Sequence, residues 1–394
     1  MPFKILGSST SNSVIPLAVP NLAGNEEKYL KQCIATNFVS SVGPFVKKFE
    51  LQLSKRLNSK YAVATNTGTS ALHLMLISVG VKSGDLVIIP SYSFIATANA
   101  VSMAGANPWF MDIELNSWGL DPNVLRDELK LNCLPSDKGW VHKVSGARIA
   151  AIMPVYAAGH PPRVSELRQV AQEFQIPLVF DSAAAVGSKS DGLEIGELGF
   201  LHALSFNGNK TITCGGGGAV ILNDEGAEKF IRHISTTART DDGYSHDEIG
   251  FNYRLTNVHA AIGFAQMEQL NAFLEKKRNI AKIYTIELAD LSGGNFPNVQ
   301  TDSTSHWISG IILKDEHQEK MAQIISSLSE NGIQARESWS PIHEMKPYRH
   351  CYSSTMQSMK FLKGRVLTLP NSTNLNLEDQ EKVVQSVRKI LTRL

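Results

Sequence analysis

Short apolar runs alternate with longer segments of helical periodicity along the first half of the chain. The runs at 61–65, 86–90, 107–113, 148–156, 177–181, 202–206 and 219–223 read as strands. Between most of them the apolar positions recur at helical spacing. Residues 70–79 place Leu72, Met75, Leu76 and Val79 on one face, and 94–103 and 164–174 behave alike. Strands alternating with helices predict a mostly parallel sheet covered on both faces. The last two runs break the rule. Only residues 207–218 join them, rich in glycine and too short for a covering helix, so one antiparallel member is expected.

From residue 224 the pattern turns helical, with a long amphipathic stretch at 257–282. Gly, Pro, Asn, Thr and Ser then concentrate at 293–302, which reads as a boundary. A strand (306–313), a helix (318–331), an extended segment (332–339) and a closing helix (377–394) follow. The expected architecture is α/β. A large domain, 1–292 with an N-terminal segment 1–50, carries a mostly parallel seven-stranded sheet between helices. A smaller C-terminal α+β domain spans 293–394.

Composition narrows the classes of function. Hydrophobic residues make up 43% of 394, enough to bury a substantial core. Lys plus Arg (38) nearly balance Asp plus Glu (37), so no net charge favours nucleic acid or an anionic membrane as partner. No apolar run reaches the roughly 18 residues of a membrane helix. Residues 1–20 hold only a short apolar patch broken by Pro16, too little for a secretory signal. The four cysteines form no C-x-x-C pair, and the eleven histidines show no metal-ligand spacing. The expectation is a soluble cytoplasmic protein with no metal site.

Candidate chemistry sits at predicted strand ends. Lys210, in Ser205-Phe-Asn-Gly-Asn-Lys210, follows the sixth run. Alone it reads more readily as a solvated surface charge, but ligands of open α/β folds bind at carboxyl strand ends. A desolvated lysine there is a neutral amine able to attack a carbonyl. Asp181 ends the fifth run and reads equally as a helix cap. Next to Lys210 it gains a sharper role, because a carboxylate keeps a pyridine nitrogen protonated. Lysine and carboxylate at neighbouring strand ends are what pyridoxal phosphate chemistry requires. Asn66-Thr-Gly68-Thr69-Ser70 joins a strand to a helix; it suits a phosphate through free N–H groups and equally suits a simple cap. Phe94 follows another strand, placed either to stack on a flat ring or to pack in the core. A dinucleotide fingerprint, a nucleotide P-loop and a G-x-S-x-G element are all missing.

Together, Gly68-Thr-Ser, Tyr92-Ser-Phe94, Asp181 and Ser205…Lys210 resemble the DegT-type nucleotide-sugar aminotransferases, a branch of the fold-type I pyridoxal phosphate enzymes. The likeness spans nearly the whole chain. It begins at Val39-Ser-Ser-Val-Gly-Pro44, continues through Gly250-Phe-Asn-Tyr-Arg254, and ends with Arg336…Trp339-Ser-Pro-Ile-His343. The resemblance implies that Lys210 bonds to the cofactor's aldehyde carbon and later moves a proton. Asp181 pairs with the ring nitrogen. Gly68, Thr69, Ser70 and Ser205 bind the phosphate, and Phe94 packs on the ring. Asn252 matches the residue that reaches the phosphate from a second subunit, implying a homodimer with shared active sites. Arg254 and His343 match positions near the substrate; for Arg254 a structural ion pair is an equal reading.

The Ser-Phe-Asn-Gly-Asn-Lys form with four following glycines is most like members acting on UDP-linked 4-keto-6-deoxy sugars. The resemblance thus implies transfer of an amino group from L-glutamate to a keto sugar nucleotide, at C4, in surface polysaccharide or glycan synthesis. The alternatives are C3 amination, dehydration, or a non-catalytic regulator that binds the cofactor. Lys210 argues against the dehydrating branch, which carries histidine there. Ala184 stands where the family often has Gln, His or Glu near the ring hydroxyl. A compact dianion and a bulky nucleotide sugar must share one open cleft, and the polar stretch 237–246 is a candidate for part of its wall.

Overall fold

The computed structural model describes residues 14–297 and 303–394. Residues 1–13 of the expected N-terminal segment and 298–302 of the expected boundary lie outside them. Two helices, α1 (Glu26–Ala35) and α2 (Pro44–Leu57), precede the first strand. The alternating region then runs β1 (Tyr61–Thr65), α3 (Gly68–Ser78), β2 (Leu86–Pro90), α4 (Ala96–Met103), β3 (Asn107–Met111) and α5 (Pro122–Asn132). It continues with β4 (Ile149–Ile152), α6 (Val164–Glu173), β5 (Val179–Asp181), β6 (Leu201–Ser205), β7 (Gly218–Leu222) and α7 (Glu225–Ser235).

Two ladders, β3-β2-β4 and β5-β6-β7-β1, make the central layer. Parallel bridges Ile152↔Leu178 and Val155↔Asp181 join them edge to edge, giving the order β3-β2-β4-β5-β6-β7-β1. β7 runs antiparallel to both β6 and β1, and the paired neighbours β2–β3, β2–β4 and β5–β6 are parallel. The reason is the one read from the sequence: the link 207–218 holds no helix to carry a crossover.

Strand residues alternate between two cores. Ala62, Ala64, Leu86, Ile88, Ala219 and Ile221 face one, with Phe49, Leu53 and Leu57 of α2. Val63, Val87, Ile89, Val220 and Leu222 face the other, with Leu72, Met75 and Leu76 of α3. Because side chains alternate at period two, a strand covered on both faces must be apolar throughout, as β2 is.

The stretch 257–282 is not one helix. It divides into α8 (Asn257–Glu268) and α9 (Leu270–Glu287) at Gln269, which stays in the right-handed region while its N–H turns to the Gln266 carbonyl at 3.0 Å. An apolar stripe that continues across the break hides it from periodicity. In the C-terminal lobe β8 (Ser309–Ile312), α10 (Met321–Glu330), β9 (Arg336–Glu337) and α11 (Leu377–Arg393) fall inside the expected segments. The centre of its sheet, β10 (Val366–Leu369) between β8 and β9, was not among the expected strands; four residues are too few to show a period. The core of this lobe also draws on Ile15 and on Ile280, Tyr284 and Leu288.

Candidate active site

Register carries three strand ends to one edge. Thr65 of β1 and Ser205 of β6 both lie opposite Gly218 of β7, and Ala203 lies opposite Asp181. That convergence demands small residues. A Cβ at Gly218 would stand 2.5 Å from the Thr67 carbonyl oxygen, and one at Gly68 would stand 2.7 Å from Ser205 Cβ. Thr67 caps α3, its Oγ1 accepting the Ser70 N–H at 3.0 Å. The first-turn N–H groups of Gly68 and Thr69 lack intrahelical acceptors by helix geometry, and they sit at the positive end of the helix dipole.

These groups line a cavity of about 270 Å³ with Phe94, Thr97, Asp181, Ser205, Asn209, Lys210 and Trp307. Gly68, Thr69, Phe94, Asp181, Ser205 and Lys210, separated by up to 142 positions in the chain, are thus brought to one space. Phe94 is 59% exposed, and its ring borders the cavity. A larger groove of about 660 Å³ beside α6 is open to solvent and collects no such set; its Arg168 is occupied over the Phe200 ring and by the Leu198 carbonyl.

Asp181 is 4% exposed. Its Oδ2 accepts the Thr97 hydroxyl at 2.6 Å and its Oδ1 the Ala183 N–H at 3.1 Å; Thr97 Oγ1 in turn pairs with Ser93 Oγ at 2.7 Å. Burial raises its pKa above the ordinary carboxylate value, while both donors and the charge of Lys210 pull against that rise. Lys210 moves the other way. Burial of its ammonium lowers the pKa to about 7, opposed by Asp181. Its Nζ lies 3.4 Å from the centroid of the Trp307 ring.

The other expected site residues do not line the cavity. Ser70 turns its hydroxyl into the cap, donating to Asn66 Oδ1 at 2.7 Å. Asn252 is exposed, and its carbonyl accepts from Asn66 Nδ2 at 3.3 Å. Arg254 bridges to Thr65 through the backbone, and His343 Nδ1 pairs with Ser91 Oγ at 2.6 Å. The stretch 237–246 closes on itself through the Arg239↔His246 bridge, away from the cavity lining. Thr97, Asn209 and Trp307 were missed as site residues. Asn209 stands inside the Ser205–Lys210 motif and Thr97 inside the helical stretch 94–103; for Trp307 the signal was a tryptophan at the edge of a polar segment. Beside Lys210, Ala184 and Thr211 line a smaller pocket, and the buried Thr211 hydroxyl has no partner.

The residues present fit a phosphate-bearing heteroaromatic aldehyde. Glycine at 68 opens the helix N-terminus, a buried carboxylate waits for a cationic ring atom, and a desolvated amine faces the same space. Gly68→Ala accordingly weakens pyridoxal phosphate binding by about tenfold or more, since its methyl and Ser205 cannot both keep their places. Equilibrium dialysis with spectroscopic readout checks this; unchanged affinity would place the phosphate elsewhere.

The model of the DegT/DnrJ/EryC1/StrS aminotransferase family matches residues 20–388. GDP-perosamine synthase of Vibrio cholerae is 34% identical over 373 residues, covering 94% of this chain and 97% of that protein. The putative pyridoxal phosphate-dependent aminotransferase EpsN of Bacillus subtilis (strain 168) is 32% identical over 377 residues, 94% of each chain. In fold, the chain is similar to Helicobacter pylori PseC, an aminotransferase involved in the biosynthesis of pseudoaminic acid, with TM-score 0.85, 24% identity, and 97% and 100% of the two chains covered.

Proposed function

The chain belongs to the DegT/DnrJ/EryC1/StrS aminotransferase family and is a pyridoxal phosphate-dependent sugar-nucleotide aminotransferase; from that premise we propose that it moves the amino group of L-glutamate to C4 of a nucleotide-linked 4-keto-6-deoxyhexose. The observation that carries the reading is the meeting of Lys210 and Asp181 in one cavity under the N-terminus of α3. The relatives named GDP-perosamine synthase make a GDP-linked acceptor the first to assay. The form of the lysine loop makes a UDP-linked one the second.

When bound, the cofactor supplies an aldehyde that captures amines and a ring that withdraws electrons from the neighbouring carbon. The chain's own residues do the rest. Gly68 and Thr69 offer backbone N–H groups, and Ser205 a hydroxyl, to the phosphate. Phe94 covers a ring face, and Asp181 holds the ring nitrogen protonated. Lys210 Nζ, its pKa lowered to about 7 by burial, takes a proton from one substrate carbon and returns it at another stage. Asn252, exposed beside the exposed Ile249, supports an assembly in which one copy's loop reaches the other's phosphate; Phe38, Val39 and Val42 give the N-terminal segment an apolar surface of the same kind. Among the described residues no helix is long and apolar enough to cross a membrane, and the reading places the enzyme in the cytoplasm.

The test is incubation with isotope-labelled glutamate and the two keto sugar nucleotides, with products read by mass and NMR. A labelled amino sugar is expected. A deoxy-keto product, or label left wholly in glutamate, removes the reading.

The lysine also sets a pH dependence. Its pKa is about 7 in the folded chain against an ordinary 10.5. Below pH 7 the amine is protonated and cannot attack, so cofactor uptake by the cofactor-free protein rises about tenfold per pH unit and levels off above 7. Between 7 and 10.5 the unfolded chain holds a proton that the folded chain lacks, so the cofactor-free protein gains stability as pH rises through that window. Stopped-flow uptake and melting curves across pH check both; a flat uptake profile from pH 6 to 8 overturns the assignment of the lysine.

A further inference from the structure

Trp307 reaches the active cavity from the segment that leads into β8, far in sequence from every other lining residue. It is held at several points. Its Nε1–H donates to the Asn209 carbonyl at 2.7 Å, and its backbone N–H donates to the Ala158 carbonyl at 3.1 Å. Its own carbonyl accepts from Nζ of Lys277 at 3.2 Å, a buried lysine that also donates to the Asn371 carbonyl at 2.8 Å. The preceding residue, His306, adopts φ +45°, a left-handed conformation that is costly outside glycine, and Asn371 Nδ2 fixes its carbonyl at 2.8 Å. Trp339 stacks on the indole at 6.0 Å and 29°, and Tyr92 meets Trp339 at 5.2 Å. Backbone strain held in place by buried hydrogen bonds is an investment in one orientation of one side chain.

We propose that Trp307 is a specificity-determining residue whose indole forms the wall against which the sugar ring of the acceptor lies at Lys210. This rests on the aminotransferase reading above. The face of an indole carries the negative side of its quadrupole, which accounts for the Lys210 ammonium at 3.4 Å. Once that amine is engaged elsewhere, the same face suits the weakly positive C–H groups on the flat side of a hexose ring. It disfavours carboxylates. Glutamate brings two carboxylates and no ring, whereas the acceptor brings a ring and a methyl group at C5 in place of a hydroxymethyl. One wall therefore sorts the acceptor from the donor.

The experiment compares holoenzyme carrying Trp307→Ala and Trp307→Phe with wild type, using glutamate and the GDP- and UDP-linked 4-keto-6-deoxyhexoses. In the alanine variant KM for the acceptor rises about tenfold or more, the cost of losing one aromatic face. The phenylalanine variant recovers most of the loss. KM for glutamate rises by less, so the ratio of acceptor KM to glutamate KM shifts by about tenfold. Acceptor binding also quenches tryptophan fluorescence in wild type more than in Trp307→Phe. Equal rises in both KM values, or no rise in either, overturn the proposal while leaving aminotransfer intact. Quenching by a sugar nucleotide without turnover keeps the wall and removes the aminotransferase reading. Neither quenching nor turnover removes both.

Discussion

Lys210→Ala lowers turnover by roughly 10³-fold or more, the scale expected when one group serves as nucleophile and as both acid and base. The reasoning starts from position. Lys210 stands in the loop after β6, and its amine shares the cavity with Asp181 and the Gly68–Ser205 cradle. Among the described residues no second lysine lines that space. Lys277, also lowered to about 7 by burial, spends its protons on the carbonyls of Trp307 and Asn371 and does not line the cavity. Small primary amines added to the variant restore part of the rate, because the excised side chain leaves room for them beside Trp307. Stability moves the opposite way from activity. Burying an ammonium is unfavourable, so the cofactor-free variant melts no lower than wild type. Steady-state rates with and without added amine, beside melting curves, check the set. Activity within tenfold of wild type would deny Lys210 its role.

Asp181→Asn lowers kcat by roughly 10²–10³-fold, comparable to losing a preorganised electrostatic group in a desolvated site. The amide keeps the size of the carboxylate and still accepts the Thr97 hydroxyl, so the cavity holds its shape. What is lost is the charge. Burial pushes the Asp181 pKa up, and only donors such as Thr97 and Ala183, with a positive partner, favour the ionised form. A pyridine nitrogen facing it gains a proton for the same reason. The acid limb that the carboxylate contributes to the kcat profile should therefore vanish in the asparagine variant. A kcat within about threefold of wild type, with the acid limb unmoved, would show that the ring nitrogen has another partner.

Much of the layout was legible because it is local. β1 and β2 coincide with apolar runs bounded by Gly, Pro, Ser and Asn, and the antiparallel β7 followed from a link too short for a helix. Lys210, Asp181 and Phe94 were recognisable because each directly follows or ends such a run, and a parallel sheet puts those ends on one edge. The break at Gln269 was not, since an apolar stripe continues across it, and neither was the strand β10.

The sequence by itself determined the order of the strands' apolar runs, the single reversed neighbour, and which residue types reach the reactive edge, because periodicity and link length are properties of adjacent residues. Only the tertiary structure decided which of those residues share a space. It turned Ser70 inward to a cap, left Asn252 on the surface, and brought Trp307 across from the other lobe. It also decided the chemistry. A lysine near 7 and a carboxyl above its usual value exist only once neighbours far along the chain have excluded water from both.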